Sequence, residues 1–436
     1  MSSLSTKKVL LLTGDIGGTN SRMSLYATDQ ADALVVKTFR NYQYLQGKED
    51  QDDAFAKYIV GPFLEHCWNE CQQQLPTDLS QVEVVACIAT AGVVSQNKAH
   101  LTNLNNLLID GNIIAQGHPQ ATSKRIAHPY LQRVVQCQII NDFVAQGYGC
   151  LTLDLSESSK EVVHLYGPKL CQESTANHGP KVCVGAGTGL GECYLTPSHD
   201  DQDTYTCFPS EGGHVEFAPR TPLQVQLWQY LVQKFAPKGQ QHRISVERVV
   251  SGTGLANVYE FLATTFPKQV DPQIHAKFVQ APSDQRGQIV GETAHKQDGQ
   301  CRQALQIMMN AYGSEVSSAA IKWIPIGGLF VTGGLTPKNI TYMTGPKSQF
   351  LQAYKDKGRV SSILERVPLY AVLVEDLGVR GARYAAETVY QNYAQHGGGH
   401  GSRRRDTDVW WKTHGGWCLI AAAIGFTMGA CLHKRP

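Results

Sequence analysis

With 436 residues, 42% of them hydrophobic, the chain is long enough for two domains, or for one large domain with an appendage. A formal net charge of +2, with basic residues scattered apart from one late cluster, gives no reason to expect a nucleic-acid partner. The 12 cysteines include no Cys-x-x-Cys pair, and Cys87, Cys137 and Cys183 lie inside apolar runs. Buried free thiols in a reducing compartment are therefore expected rather than zinc or disulfides. Residues 1–8 carry no apolar core, so no secretory signal is expected.

The first predicted element is a hairpin. Residues 9–12 and 23–26 are strand-like apolar runs joined by Gly14-Asp15-Ile16-Gly17-Gly18-Thr19-Asn20-Ser21-Arg22. Glycines let backbone N–H groups approach a phosphate unobstructed, and Thr19 and Asn20 add side-chain donors. Asp15 would repel a phosphate, so its natural partner is the Mg²⁺ that accompanies a nucleotide. A tight hairpin with a solvated aspartate is the alternative. Residues 33–40 read as a third strand. Residues 52–74 read as an amphipathic helix, with Phe55, Tyr58, Ile59, Phe63, Leu64 and Cys67 at helical spacing. A buried strand is predicted over 82–89, a loop over 90–106, and a second buried strand over 134–140 that ends at Asn141-Asp142. A helix begins near Val144, and the order is that of a layered α/β domain.

The pattern then restarts. Residues 181–184 and 192–195 read as strands around Gly185-Ala186-Gly187-Thr188-Gly189-Leu190-Gly191, a second glycine-rich turn about one domain length after the first. Two such turns facing one another could grip a polyphosphate from both sides. Helices are predicted over 222–235, 247–266 and 301–323, followed by a buried strand within Gly327-Gly328-Leu329-Phe330-Val331-Thr332-Gly333-Gly334.

Six separated motifs resemble those of bacterial-type glucokinases, in the same order, from about residue 9 to about residue 393. They are the Asp-x-Gly-Gly-Thr-Asn-x-Arg turn, Ile140-Asn141-Asp142-Phe143, the turn from Gly185 to Gly191, Glu211-Gly212-Gly213-His214-Val215-Glu216-Phe217, the segment from Val246 to Gly252, and Val331-Thr332-Gly333-Gly334. The related repressor-type sugar kinases carry a cysteine-rich zinc motif beside the histidine. Gly213-His214-Val215-Glu216-Phe217 lacks it, so the resemblance is to the zinc-free branch of the actin/hexokinase-like sugar kinases.

That resemblance implies a two-lobed α/β fold with an ATP and sugar cleft between the lobes. The small lobe would comprise residues 1–145 with 376–395, and the large lobe 146–375. It implies transfer of the γ-phosphoryl group of MgATP to glucose, with Asp142 as catalytic base. Read locally, the alternative is that Asp142 simply caps the helix beginning at Phe143. Asn141, Asp142, Glu211, His214 and Glu247 match the family's sugar contacts, and Asn103 lies in a segment resembling its sugar side. Glu216 would only support the loop. Gly17, Gly18, Thr19, Asn20, Gly187, Thr188 and Gly189 would hold the ATP phosphates, Gly333 and Gly334 the adenosine, and Asp15 would meet Mg²⁺ through water. A kinase for another hexose and a non-catalytic membrane-tethered sugar sensor are the competing readings, and a homodimer stays open. Residues 89–94 lack a proline, and 101–106 a tryptophan, that the family often carries near the sugar; both bear on the breadth of sugar acceptance.

Beyond the resemblance, residues 396–408 read as a linker, and 409–436 as a membrane-anchor candidate. The charge-free run from Trp417 to Leu432 has basic residues on both sides (Arg403, Arg404, Arg405 and Lys412; Lys434 and Arg435). It is slightly shorter than the ~17–25 residues of a usual span, which suits the outer membrane of a mitochondrion or plastid, with the enzyme facing the cytosol. A helix docked on the protein's own surface is the alternative.

Overall fold

In the computed structural model, β1 (Lys8–Ile16) and β2 (Asn20–Ala27) form the expected antiparallel hairpin, with Asp15 opposite Arg22. β3 (Val35–Arg40) pairs with β2, and β4 (Val82–Thr90) runs parallel to β1 on its other side. The structure describes residues 7–395 except 49–50, 72, 76–77, 102–103, 119–125, 127, 171–177, 199–203 and 237–242. The predicted Asn103, the linker and the apolar tail therefore lie outside the described residues. Among the described residues, no helix is long and apolar enough to cross a membrane.

The region read as a loop over 90–106 is in part a small sheet of its own. β5 (Val94–Ser95), β6 (Lys98–Leu101) and β7 (Leu107–Asp110) pair antiparallel in sequence order. Its amide-rich composition hid a hairpin: Gln96 and Asn97 both adopt positive φ, as a two-residue hairpin turn requires. The Asn97 amide also bonds Cys137 O (2.9 Å) and the Ile139 N–H (2.7 Å), fastening this small sheet to β8 (Val134–Asn141). β8 lies parallel to β4 and completes the first sheet in the order β3-β2-β1-β4-β8. The helix read over 52–74 is shorter, a π-helical turn at Ala56–Val60 running into helix Gly61–Glu70.

The second sheet repeats the winding. β10 (Lys181–Ala186) and β11 (Leu190–Pro197) form the second glycine hairpin, β12 (Tyr205–Ser210) joins β11, and β13 (Leu329–Thr332) and β14 (Leu369–Val372) continue parallel from β10. β9 (Val162–Tyr166) closes the far edge, giving β12-β11-β10-β13-β14-β9. Strands β9, β12 and β14 escape a reading by apolar runs because they are short or hold polar and half-buried positions.

Each sheet has its own hydrophobic core, one built on Leu10, Ile88 and Phe63, the other on Val182, Leu329 and Tyr312. Tyr312, on the long helix Gln300–Trp323, accepts the Ala186 N–H through its hydroxyl (3.1 Å) and so pins the end of β10 where the second glycine turn begins. The nine described cysteines are all buried and free, as expected of a thiol-bearing core. The described residues up to Tyr390 form one compact unit, and helix Leu377–Gln395 ends just beyond it.

Candidate active site

Asp15 and Asp142 reach the same end of the first sheet by strand register. Across β1, β4 and β8, Asp15 is level with Ala89 and Ala89 with Ile140; the next row is Ile16, Thr90 and Asn141. All three strands are parallel, so this is their carboxyl edge, where α/β sheets bind ligands. Asp142 is the first residue of helix Asp142–Cys150, but the cap is Asn141, whose Oδ1 accepts the N–H of Phe143 (2.9 Å) and Val144 (3.3 Å). The Asn141 amide also donates to Gly92 O (3.0 Å), in the loop after β4.

Burial pushes the Asp142 carboxyl up to about 6; the Phe143 N–H opposes this, and the negative charges of Asp15 and Glu211 add to it. The Asp15 carboxyl is also raised by burial, against the pull of Arg22. Asp15 from β1 and Glu211 from the loop after β12 thus both lie near enough to Asp142, at the start of helix Asp142–Cys150, to act on its charge.

Glu211 precedes a single 3₁₀ turn, Gly212–His214, and its carboxylate lies 3.7 Å from His214 Nε2, both side chains more than half exposed. The two glycines between them are there for space. A Cβ on Gly213 would lie 1.9 Å from Leu190 O, and one on Gly212 would lie 2.1 Å from Glu192 Oε2. Residues 215–217 run antiparallel to 244–246, with Glu216 bridged to Ser245, which brings Glu247 alongside. Glu247 does not point away freely: its Oε2 accepts the Leu190 N–H (2.9 Å) and lies where a side chain on Gly189 would be. It thus joins the segment predicted to read the sugar to the turn predicted to hold phosphate.

Glu192, beneath Gly212, is buried, and its carboxyl is pushed up to about 8 by burial, by the neighbouring Glu315 and by Cys183, with Lys322 opposing. Below about pH 4.5 the folded and unfolded chains both hold this proton. Between there and about pH 8 only the folded chain holds it, so stability falls as pH rises through that window. Glu192→Gln removes the titrating group. Its stability relative to the parent should rise from pH 4.5 to pH 8 by a few kcal/mol, roughly, measured by urea unfolding. A difference independent of pH would count against a neutral Glu192.

The second glycine turn rests on the start of helix Gly252–Thr265. Gly187 O accepts the Gly252 N–H (2.8 Å), Thr188 O accepts the Thr253 hydroxyl (3.4 Å), and Ser251 caps the helix at Gly254 N (2.8 Å). Gly333, at φ +82°, packs where a Cβ would lie 2.4 Å from Ala186 O, while the space beside Gly334 is open. Phe143 lies against Gly185 and Gly191, where Cβ atoms would be 3.0 and 2.1 Å from its ring. The residue after Asp142 is therefore lodged against the second hairpin.

The fold brings together Asp15, Asp142, Asn141, Glu211 and His214, and joins Glu247 with Gly187, Thr188, Gly189 and Gly333. Sequence reading quoted Phe143, Ser251 and Gly252 inside motifs but gave them no role, although a serine cap among the glycines Ser251-Gly252-Thr253-Gly254 carried a usable signal. It also missed Asn41, fully buried beneath the first turn, which nothing in the local sequence marks.

The fold has close counterparts. A glucokinase from Balamuthia mandrillaris, solved in complex with glucose, matches with TM-score 0.64 at 19% identity, over 88% of this chain and 95% of that one. A glucokinase from an Antarctic psychrotroph matches with TM-score 0.60 at 22% identity, over 87% and 99%. At such identities the likeness is of fold, and the fold is the mixed α/β one of sugar kinases. The glucokinase of Synechocystis sp. is 33% identical over 388 residues, 87% of this chain and 98% of its own, and that of Nostoc punctiforme 35% over 387, 86% and 98%. Residues 12–389 match the family described as Glucokinase. The chain belongs to the glucokinase family.

Proposed function

We propose that this chain is a glucokinase, transferring the γ-phosphoryl group of MgATP to the 6-hydroxyl of glucose to give glucose 6-phosphate and ADP. Asp15 and Asp142 at one carboxyl edge, with the Glu211 charge acting on Asp142, carry this reading most directly. Phosphoryl transfer asks a protein mainly for positioning and charge stabilisation. Asp142, with its carboxyl near 6, is mostly ionised at neutral pH yet more basic than an ordinary carboxylate, and takes the proton of the attacking hydroxyl. Asn141, Glu211, His214 and Glu247 hold the sugar hydroxyls, each of which is both donor and acceptor. Gly17, Gly18, Thr19 and Asn20 face the phosphates from the first hairpin, Gly187, Thr188 and Gly189 from the second, and Gly333 and Gly334 border the adenosine.

Mg²⁺ fits this site. Asp15 offers a hard oxygen ligand, buried at the carboxyl edge of the first sheet with Arg22 opposite it in the hairpin. Asp15 would hold the ion through water, and the ion would supply charge neutralisation on the phosphate oxygens.

The two like-wound sheets with separate cores support the division into lobes 1–145 with 376–395 and 146–375, in the actin/hexokinase-like manner. Closure of such lobes excludes water from the cleft and limits wasteful ATP hydrolysis. ADP release from MgATP with glucose, mannose, fructose and N-acetylglucosamine tests the substrate. Glucose should give the highest kcat/KM; a tenfold preference for another sugar would make this a kinase of that hexose. The membrane tether rests on the sequence from Trp417 to Leu432 and its basic flanks. A fluorescent fusion of residues 394–436 that stays diffuse in the cytosol would rule it out.

A further inference from the structure

The first glycine turn is held by one side chain that no motif marks. Asn41 is fully buried at the end of β3, as is Ser21 at the start of β2. The Asn41 amide donates to Gly17 O (2.8 Å) and Gly18 O (3.3 Å), and its own backbone N–H donates to Thr19 O (2.9 Å). Its Oδ1 accepts the Ser21 hydroxyl at 2.6 Å, which turns the amide so that the NH₂ faces the carbonyls. Three successive carbonyls of the turn therefore point at one residue.

In a trans peptide the C=O of one residue and the N–H of the next point in opposite directions. Drawing Gly17 O and Gly18 O inward turns the N–H groups of Gly18 and Thr19 outward. Among the described residues neither of these N–H groups has an acceptor, although the turn is otherwise hydrogen-bonded, with Gly17 N on Asn20 O (2.9 Å). Two adjacent, outward, unpaired backbone donors are what an anion needs. A glycine turn without a brace would sample many conformations and lose that alignment.

The geometry points to Asn41 as the positioning residue of the nucleotide-phosphate turn, acting through the turn and oriented by Ser21. This rests on the reading of that turn as a phosphate site. Asn41→Ala frees all the side-chain bonds, and Asn41→Asp replaces the donor with an acceptor that repels the carbonyls. Both should raise KM for ATP and weaken MgADP binding about tenfold or more, with glucose affinity unchanged within about twofold. Ser21→Ala should shift the same two quantities by a smaller factor. In the double variant Ser21→Ala with Asn41→Ala, the serine change should add nothing, because its effect runs through Asn41.

Calorimetric titration of MgADP and of glucose, beside KM and kcat, reads all of this. A folded Asn41→Ala enzyme with MgADP affinity within twofold of the parent overturns the inference, as does an equal loss for MgADP and glucose. Should Asn41→Ala not fold, Ser21→Ala carries the test, and unchanged MgADP affinity there overturns it too. Gly18→Val, which blocks the turn itself, separates the two levels. If Gly18→Val leaves MgADP binding intact, the phosphate reading of the turn fails; if it abolishes binding while Asn41→Ala does not weaken it, only the role of Asn41 fails.

Discussion

Asp142→Ala is expected to lower kcat by about 10²–10⁴-fold, the usual contribution of a positioned general base, while glucose binding stays measurable by calorimetry. The loss should appear in kcat far more than in KM for ATP, because the proposed role of Asp142 is toward the reacting hydroxyl and not the phosphates. Asn141, rather than Asp142, caps the helix, so the variant should fold. The parent enzyme's pH profile should carry the same signature. The carboxyl is raised to about 6, so it is protonated and inactive below that pH, and kcat/KM should climb as pH rises through about 6. Asp142→Asn should remove that limb together with the activity. Normal turnover in Asp142→Ala would require another base.

The second large effect is expected from Gly381→Ala, in helix Leu377–Gln395. A methyl there would sit 1.6 Å from Ala145 O and 2.6 Å from Gly149 N, both in helix Asp142–Cys150. The contact is reciprocal, since a methyl on Gly149 would lie 2.2 Å from Leu377 O. Tyr148 and Tyr384 stack across the same crossing at 5.6 Å. Backbone cannot swing aside as a side-chain tip can, so the helices must part. A cost of about 3 kcal/mol or more is expected, at the upper end of overpacking effects, with a fall in Tm of several degrees. Activity should fall beyond what unfolding explains. The helix parted from its partner carries Asp142, and Gly378, on the other helix, faces Asp15 across 3.9 Å from its Cβ position. Unchanged thermal unfolding in Gly381→Ala would mean that this crossing is looser than the geometry requires.

Both expectations depend on features of unequal visibility in the chain. The hairpins around Gly17-Gly18 and Gly187-Thr188-Gly189 were legible because apolar runs and glycines are local signals, and the repeat of one pattern announced two like-wound sheets. Asp142 was legible as a residue at a strand end, and its ordered motif gave it a role. The strands β5, β6, β9 and β12 were not legible: short, half-polar segments gain their pairing from neighbours distant in sequence. Glu247 could be picked out by its motif, yet its bond to the Leu190 N–H is a contact between segments 57 positions apart. Gly149 reads as an ordinary helix glycine, and Gly381 lies in a helix that no sequence reading drew, until the two helices cross on them.

The amino-acid sequence by itself determined the α/β layering, the two glycine turns, the acidic residue at the end of β8 and the membership of the glucokinase family. These follow from periodicity, composition and short motifs, which act over a few residues. Only the tertiary structure decided that Asp15 and Asp142 share one sheet edge with Glu211 near enough to act on Asp142, that Phe143 is lodged against the second hairpin, and that Asn41 braces the first. Register across three strands and the close approach of backbones at glycines set those distances. Both are properties of chain segments far apart in sequence, packed at interior density.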